Sequence, residues 1–226
     1  MKKIGMLVAV EIDSVRRRYG EAAGVERISG FAVYTYKSEN HELYVLNSGV
    51  GEIAAAAGTQ LLISHYGVDL ILNFGVVGGL TEEMSTTKAC VVEKAVHYDF
   101  DTSAYQPEAE KGRYLEYPDI YIPATPALLE KAREIAPELK AVICASADKF
   151  VADPARKIAL HEEFGADICE MESAGILLTA NRAGVPCLLI KTVSDGIRGG
   201  AEEFHAEMER TGDLCLEIAD RVICGL

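Results

Sequence analysis

Hydrophobic positions along this chain fall into short, nearly unbroken runs. They are IGMLVAV (4–10), FAVYTY (31–36), LYVLNSG (43–49), DLILNFG (69–75), ACVVEKAV (89–96), LKAVICASA (139–147), ADICEM (166–171) and PCLLIKTVS (186–194). Runs of this length without a polar side suit strands covered on both faces. Helical patterns separate them. Residues 51–67 are alanine-rich and stop at Gly67. Residues 153–165 carry Asp153 as N-cap, Pro154 at the first helical position and Gly165 past the end. Residues 172–184 stop at a glycine, and 201–223 form a long amphipathic stretch. The alternation predicts an α/β protein: a single domain over residues 1–226 with a mixed, mostly parallel central sheet flanked by helices. The 31–36 and 43–49 runs have little between them and predict an antiparallel hairpin. Residues 103–120 are the one long polar loop, of a length often used as a lid or an interface element.

Charge narrows the partners. Twenty-two basic against 35 acidic residues give a net charge of −13, which argues against nucleic acid or an anionic membrane as the main partner. The six cysteines form no C-x-x-C pair, so buried free thiols in a reducing compartment are expected. The opening apolar run is too short to span a membrane and lacks a cleavage signature. The expected location is the cytoplasm.

In open α/β sheets ligands bind beyond the carboxyl ends of the strands. The polar residues placed there are Glu11 and Asp13, Ser48 to Glu52, Asn73 to Gly79, His97 to Asp101, Asp148 to Val151, Glu170 to Glu172, and Lys191 to Gly196. Singly, each has a plain structural account. Glu172 suits the first turn of a helix, Asp13 a helix N-cap and Asp195 a turn before Gly196. Met171 and Phe150 suit a core. The glycine-rich turns match neither the dinucleotide fingerprint nor the phosphate loop. The histidines lack metal spacing, so no metal is expected.

In order, the segments KIGMLVAVEIDSV, SGVGEIAAAAGTQLLI, DLILNFGVVGGL, HYDFDTSAY, ADKFV, ICEMESAGI and GVPCLLIKTVSDG resemble the purine nucleoside phosphorylase/hydrolase superfamily nearly end to end. Within it the chain is similar to methylthioadenosine/S-adenosylhomocysteine nucleosidases. The resemblance implies hydrolysis of the N-glycosidic bond of 5′-thio-substituted adenosines, a small-molecule purine nucleoside as partner, no cofactor and a homodimer. It implies that Asp195 protonates the purine at N7 and that Ser194 faces the base. Phe150 would stack on the base, and the Val151 backbone would read its edge. Glu172 would grip the ribose over Met171, with Glu170 at the ribose edge or supporting the strand end. Asp13 would hold the attacking water. Val76, Gly78 and Lys191 fall at further substrate positions, and Val10, Val50, Thr102 and Tyr105 resemble the 5′-substituent pocket, part of which comes from the neighbouring subunit.

These residue types suit the chemistry. Cleavage builds positive charge on the ribose and negative charge on the departing base, so it needs an acid at the base, a carboxylate at the sugar and a second carboxylate holding water. Three departures cluster at the water site. Asp13 stands where the family commonly has glutamate, Val76 where it often has serine or threonine, and Lys191 where arginine is common. Phosphorolysis, a futalosine-type substrate and a binding protein without turnover stay open as alternatives.

Overall fold

The computed structural model describes residues 1–86 and 89–226. Among the described residues ten strands form one sheet. In chain order they are β1 (Lys2–Val8), β2 (Gly24–Ile28), β3 (Phe31–Lys37), β4 (His41–Asn47), β5 (Leu70–Gly79), β6 (Ala89–His97), β7 (Ile122–Pro123), β8 (Lys140–Ser146), β9 (Ile168–Glu170) and β10 (Cys187–Asp195). The order β10-β6-β8-β9-β5-β1-β4-β3-β2 closes on itself through a further β10–β5 pairing. Five strands therefore ring a barrel-like centre, and β1, β4, β3 and β2 extend from it as a wing. Closure is not legible in the apolar runs, which predict only that strands are covered. The longest ladders, β10–β5, β1–β4 and β6–β8, are parallel, and β3–β4 is the expected hairpin.

The helices are α1 (Ile12–Tyr19), α2 (Glu52–Leu61), α3 (Glu82–Thr86), α4 (Pro126–Ile135), α5 (Pro154–Phe164), α6 (Ser173–Ala183) and α7 (Ala201–Gly225). A π-helical turn, Leu62–Tyr66, completes the 51–67 segment before Gly67 turns left-handed at φ 60°. Asp153 caps α5 by accepting from the Ala155 N–H, and Gly165 and Gly184 end α5 and α6 at positive φ. Ala55 of α2 packs with Ile176, Leu177 and Ala180 of α6 in one core cluster. Leu216, Ala219 and Val222 of α7 pack against β1, β5 and β10 in the other. The α2–α6 approach depends on Gly175, where a Cβ would lie 2.6 Å from the Glu52 carbonyl oxygen. That contact seats the N-terminus of α6, and Glu172 with it, beside Gly51.

Among the described residues no helix is long and apolar enough to cross a membrane. Five cysteines are buried, Cys224 is exposed, and all six are free thiols.

Candidate active site

The carboxyl ends of β1, β5, β9 and β10 surround a cavity of about 390 Å³. From β1 come Val10 and Glu11, from β5 Val76 and Gly78, and from the β9 end Glu170, Met171 and Glu172. The end of β10 supplies Ser194 and Asp195, and Val50, Phe150 and Phe204 stand around them. A smaller recess shares Gly78, Phe150 and Asp195 and includes Val151. Gly78 keeps this wall thin: a Cβ there would meet the Cys169 Sγ at 3.2 Å and the Asp195 Oδ2 at 3.3 Å.

Glu170 and Glu172 lie two residues apart and do different work. Glu170 lines the cavity wall and directs its carboxylate at the N-terminus of α6. It accepts the backbone N–H groups of Glu172 and Ser173 at 3.1 Å, the Ser146 hydroxyl at 2.6 Å and the Lys191 ammonium at 3.1 Å. A helix N-terminus is a ready anion site. Burial opposes its charge, yet Lys191 and the donors from Ser146 and Ser173 hold Glu170 below the usual carboxylate range. Glu172 is the residue before α6, and its Oε1 accepts the Gly51 N–H at 2.9 Å. Burial first, then the Glu170 charge, pushes it up to about 8, against the pull of Lys191 and the Gly51 N–H. Gly51 makes that contact at φ 107°, where any side chain would also collide with Asp148.

Behind them sits Glu52, with one oxygen on the Ser146 hydroxyl and the other accepting the Gly175 N–H at 2.5 Å. Burial, then Glu170, pushes it up to about 8. The hydroxyl of Ser146 touches both Glu52 and Glu170 and also accepts the Ala174 N–H. It has one proton to give, so a protonated Glu52 that donates to it resolves the count. The pH dependence follows. Between about 4.5 and about 8 the folded chain holds protons on Glu52 and Glu172 that the unfolded chain has released. Stability therefore falls as pH rises through that window, by up to about 1.4 kcal/mol per unit per group. Thermal melts from pH 5 to 8.5 measure it, and Glu52→Gln flattens the slope.

Asp195 closes β10 just past an irregularity in the β10–β5 register between Val193 and Asp195, which re-aims the strand end. Its Oδ1 accepts from the Ser194 hydroxyl at 2.9 Å and its Oδ2 from the Lys157 ammonium at 2.5 Å. Phe150 meets Phe204 edge-on at 5.3 Å between ring centroids.

The structure corrects several sequence expectations. Asp13 does not line this cavity. Its side chain is 72% exposed and pairs with Arg16 at 2.9 Å within α1. The β1 carboxylate that faces the cavity is Glu11, buried, with Oε1 accepting the Val76 N–H at 2.9 Å and Oε2 the Val10 N–H at 3.1 Å. Gly75 leaves it room, since a Cβ there would sit 3.0 Å from the Glu11 carboxylate. Glu11 is also the residue before α1, so Asp13 falls inside the first turn rather than at the cap. Lys191 does not line the cavity either; its ammonium is spent on Glu170. Thr102 and Tyr105 are outside the cavity of this chain, Tyr105 with 74% of its surface exposed. Phe204, Lys157 and Ser146 are the site's unforeseen contributors. Among the described residues no group of His, Cys, Asp and Glu is arranged to hold a metal.

A family model described as Phosphorylase superfamily matches residues 4–224. The chain belongs to the phosphorylase superfamily. An aminodeoxyfutalosine nucleosidase of Campylobacter jejuni is 29% identical over 201 residues, covering 86% of each chain. A 5′-methylthioadenosine/S-adenosylhomocysteine nucleosidase of Shewanella sp. (strain MR-7) is 32% identical over 198 residues, 84% of this chain and 80% of the relative. The solved 5′-methylthioadenosine/S-adenosylhomocysteine nucleosidase from Helicobacter pylori with butyl-thio-DADMe-Immucillin-A superposes with a TM-score of 0.93. It has 28% identity and covers 100% of this chain and 99% of its own. These relatives include nucleosidases of two specificities.

Proposed function

We propose that this superfamily member hydrolyses the N-glycosidic bond of 5′-substituted adenosines, with methylthioadenosine, S-adenosylhomocysteine and aminodeoxyfutalosine as the candidate substrates. The observation that carries the reading is that Asp195, Glu172 and Glu11 share one cavity with Met171 and Phe150. Asp195 in its acid form gives its proton to N7 of the departing purine and is left as the carboxylate that the Lys157 ammonium and the Ser194 hydroxyl hold. Phe150 stacks on the base and the Val151 backbone reads its edge. Glu172 grips the ribose hydroxyls over Met171 and faces the positive charge that develops on the sugar. Glu11 orients water and takes its proton, as a base does in an inverting glycosidase. The proton that Glu11 takes from water returns to Asp195 through solvent between turnovers. Val10, Val50, Val76 and Phe204 give the 5′-substituent an apolar surround. A homodimer would bring Thr102 and Tyr105 of a second copy to that mouth.

Phosphorolysis is disfavoured because Lys191 is paired with Glu170 and off the cavity wall. The deciding experiment offers each of the three nucleosides in phosphate-free buffer and follows adenine. Release unaffected by added phosphate supports the reading. Strict phosphate dependence would replace it with phosphorolysis, and calorimetric adenine binding without cleavage of any nucleoside would replace it with a binding protein.

Glu172 sets a pH dependence for turnover. It acts as a carboxylate, and its environment holds the proton on up to about 8. Activity per enzyme at low substrate should therefore rise with pH on the approach to 8, as the carboxylate forms. A kcat/KM profile for Glu172→Gln should lie well below the wild type and lose this ascending limb.

A further inference from the structure

Among the described residues two cations are buried, Lys191 and Lys157. Lys191 is explained by Glu170. Lys157 lies in the first turn of α5, where the helix dipole disfavours a positive charge, and its side chain is 0% exposed. The ammonium has three protons and meets three acceptors: Asp195 Oδ2 at 2.5 Å, the Gly196 carbonyl at 2.7 Å and the Gly199 carbonyl at 3.2 Å. It does not line the cavity, but it lies just behind the Gly78 wall, 3.5 Å from where a Gly78 Cβ would be. The turn it holds is closed by the Gly199 N–H on the Gly196 carbonyl and tied to α3 by the Ile197 N–H on the Ser85 hydroxyl. That turn leads directly into α7 and Phe204 at the cavity.

We propose that Lys157 is a positioning residue for Asp195, fixing one carboxyl oxygen and the Gly196–Gly199 turn from a single point so that the acid keeps its orientation toward the purine. This rests on the nucleosidase reading of Asp195. A buried ion pair alone is weak evidence for any role beyond packing, so the test must separate orientation from stability. With the ammonium gone, Asp195 keeps the Ser194 hydroxyl on Oδ1 but loses the anchor on Oδ2, and misplacement of a reacting group by about 1 Å costs on the order of 10²-fold in rate.

The experiment measures kcat and KM on the best nucleoside substrate for wild type, Lys157→Met, Lys157→Arg, Asp195→Asn and the double variant Asp195→Asn/Lys157→Met. Lys157→Met should lose about 10²-fold in kcat with KM within about threefold. Lys157→Arg, which keeps the charge but spreads it over a planar fork, should recover at least about tenfold of that. In the Asp195→Asn background Lys157→Met should cost no further rate, because it acts through the same group. A kcat within about threefold of wild type, a loss carried by KM alone, or an undiminished further loss in the Asp195→Asn background would each overturn the positioning role. If Lys157→Met does not fold, the double variant, which buries no unpaired charge, and Lys157→Arg still decide it. A wild type that cleaves no purine nucleoside fails the functional reading itself, a different result from an active wild type indifferent to Lys157.

Discussion

Asp195→Asn should lower kcat/KM for the purine nucleoside substrate by about 10³-fold, within the range of roughly 10² to 10⁴ that a positioned general acid supplies. The side chain is 2% exposed, with the Ser194 hydroxyl on one oxygen and the Lys157 ammonium on the other. Asparagine has nearly the same shape and can still offer an amide oxygen to Lys157, so the cavity survives. What it lacks is a proton acidic enough to pass to N7. The variant also leaves the Lys157 charge without a counter-ion, and breaking a buried pair by removing one partner costs about 3–5 kcal/mol. A lower melting temperature is therefore part of the expected result. Adenine binding by calorimetry separates the two effects: it should persist while release from nucleoside is lost. Turnover near wild type in a folded Asp195→Asn variant would remove the acid from the mechanism.

Glu11→Gln should lower kcat by about 10²- to 10³-fold, whereas Asp13→Asn should stay within about twofold of wild type. The contrast follows from placement. Glu11 is buried at the cavity wall with both oxygens oriented by backbone N–H groups, those of Val76 and Val10. Asp13 is bonded to Arg16 on the surface of α1. Glutamine has one acceptor and one donor where the backbone presents two donors, so it also loses about 1–3 kcal/mol through the mismatched amide. Steady-state kinetics on both variants, with melting curves as a control, measures this. A damaging Asp13→Asn beside a silent Glu11→Gln would return the water to Asp13.

The exchange of Asp13 for Glu11 shows how local patterns mislead at a strand end. Two acids two residues apart follow β1. Which one faces the cavity depends on where the strand stops and the helix begins. β1 ends at Val8 and α1 starts at Ile12, and that boundary is set by pairing with β4 and β5, remote in sequence. Elements with few apolar residues were silent for a similar reason. α1, IDSVRRRY, buries only Ser14 and Val15. β2, GVERI, is an edge strand with almost no buried face. Phe204 was hidden in the first turn of an amphipathic helix, where it reads as one more apolar position.

The α/β class, most strands and the long helices were legible in the chain, because continuous apolar runs and terminal Asp, Pro and Gly act locally. The chain also marked the strand-end segments that hold Glu172, Ser194 and Asp195, whereas their meeting depends on β9 pairing antiparallel with the end of β5, itself parallel to β10. The closure of the sheet through β10 and β5, the division of labour between Glu170 and Glu172, and the pairing of Lys157 with Asp195 came from the folded arrangement. Each of these joins groups far apart in the chain, through burial, charge and distances that no local pattern encodes.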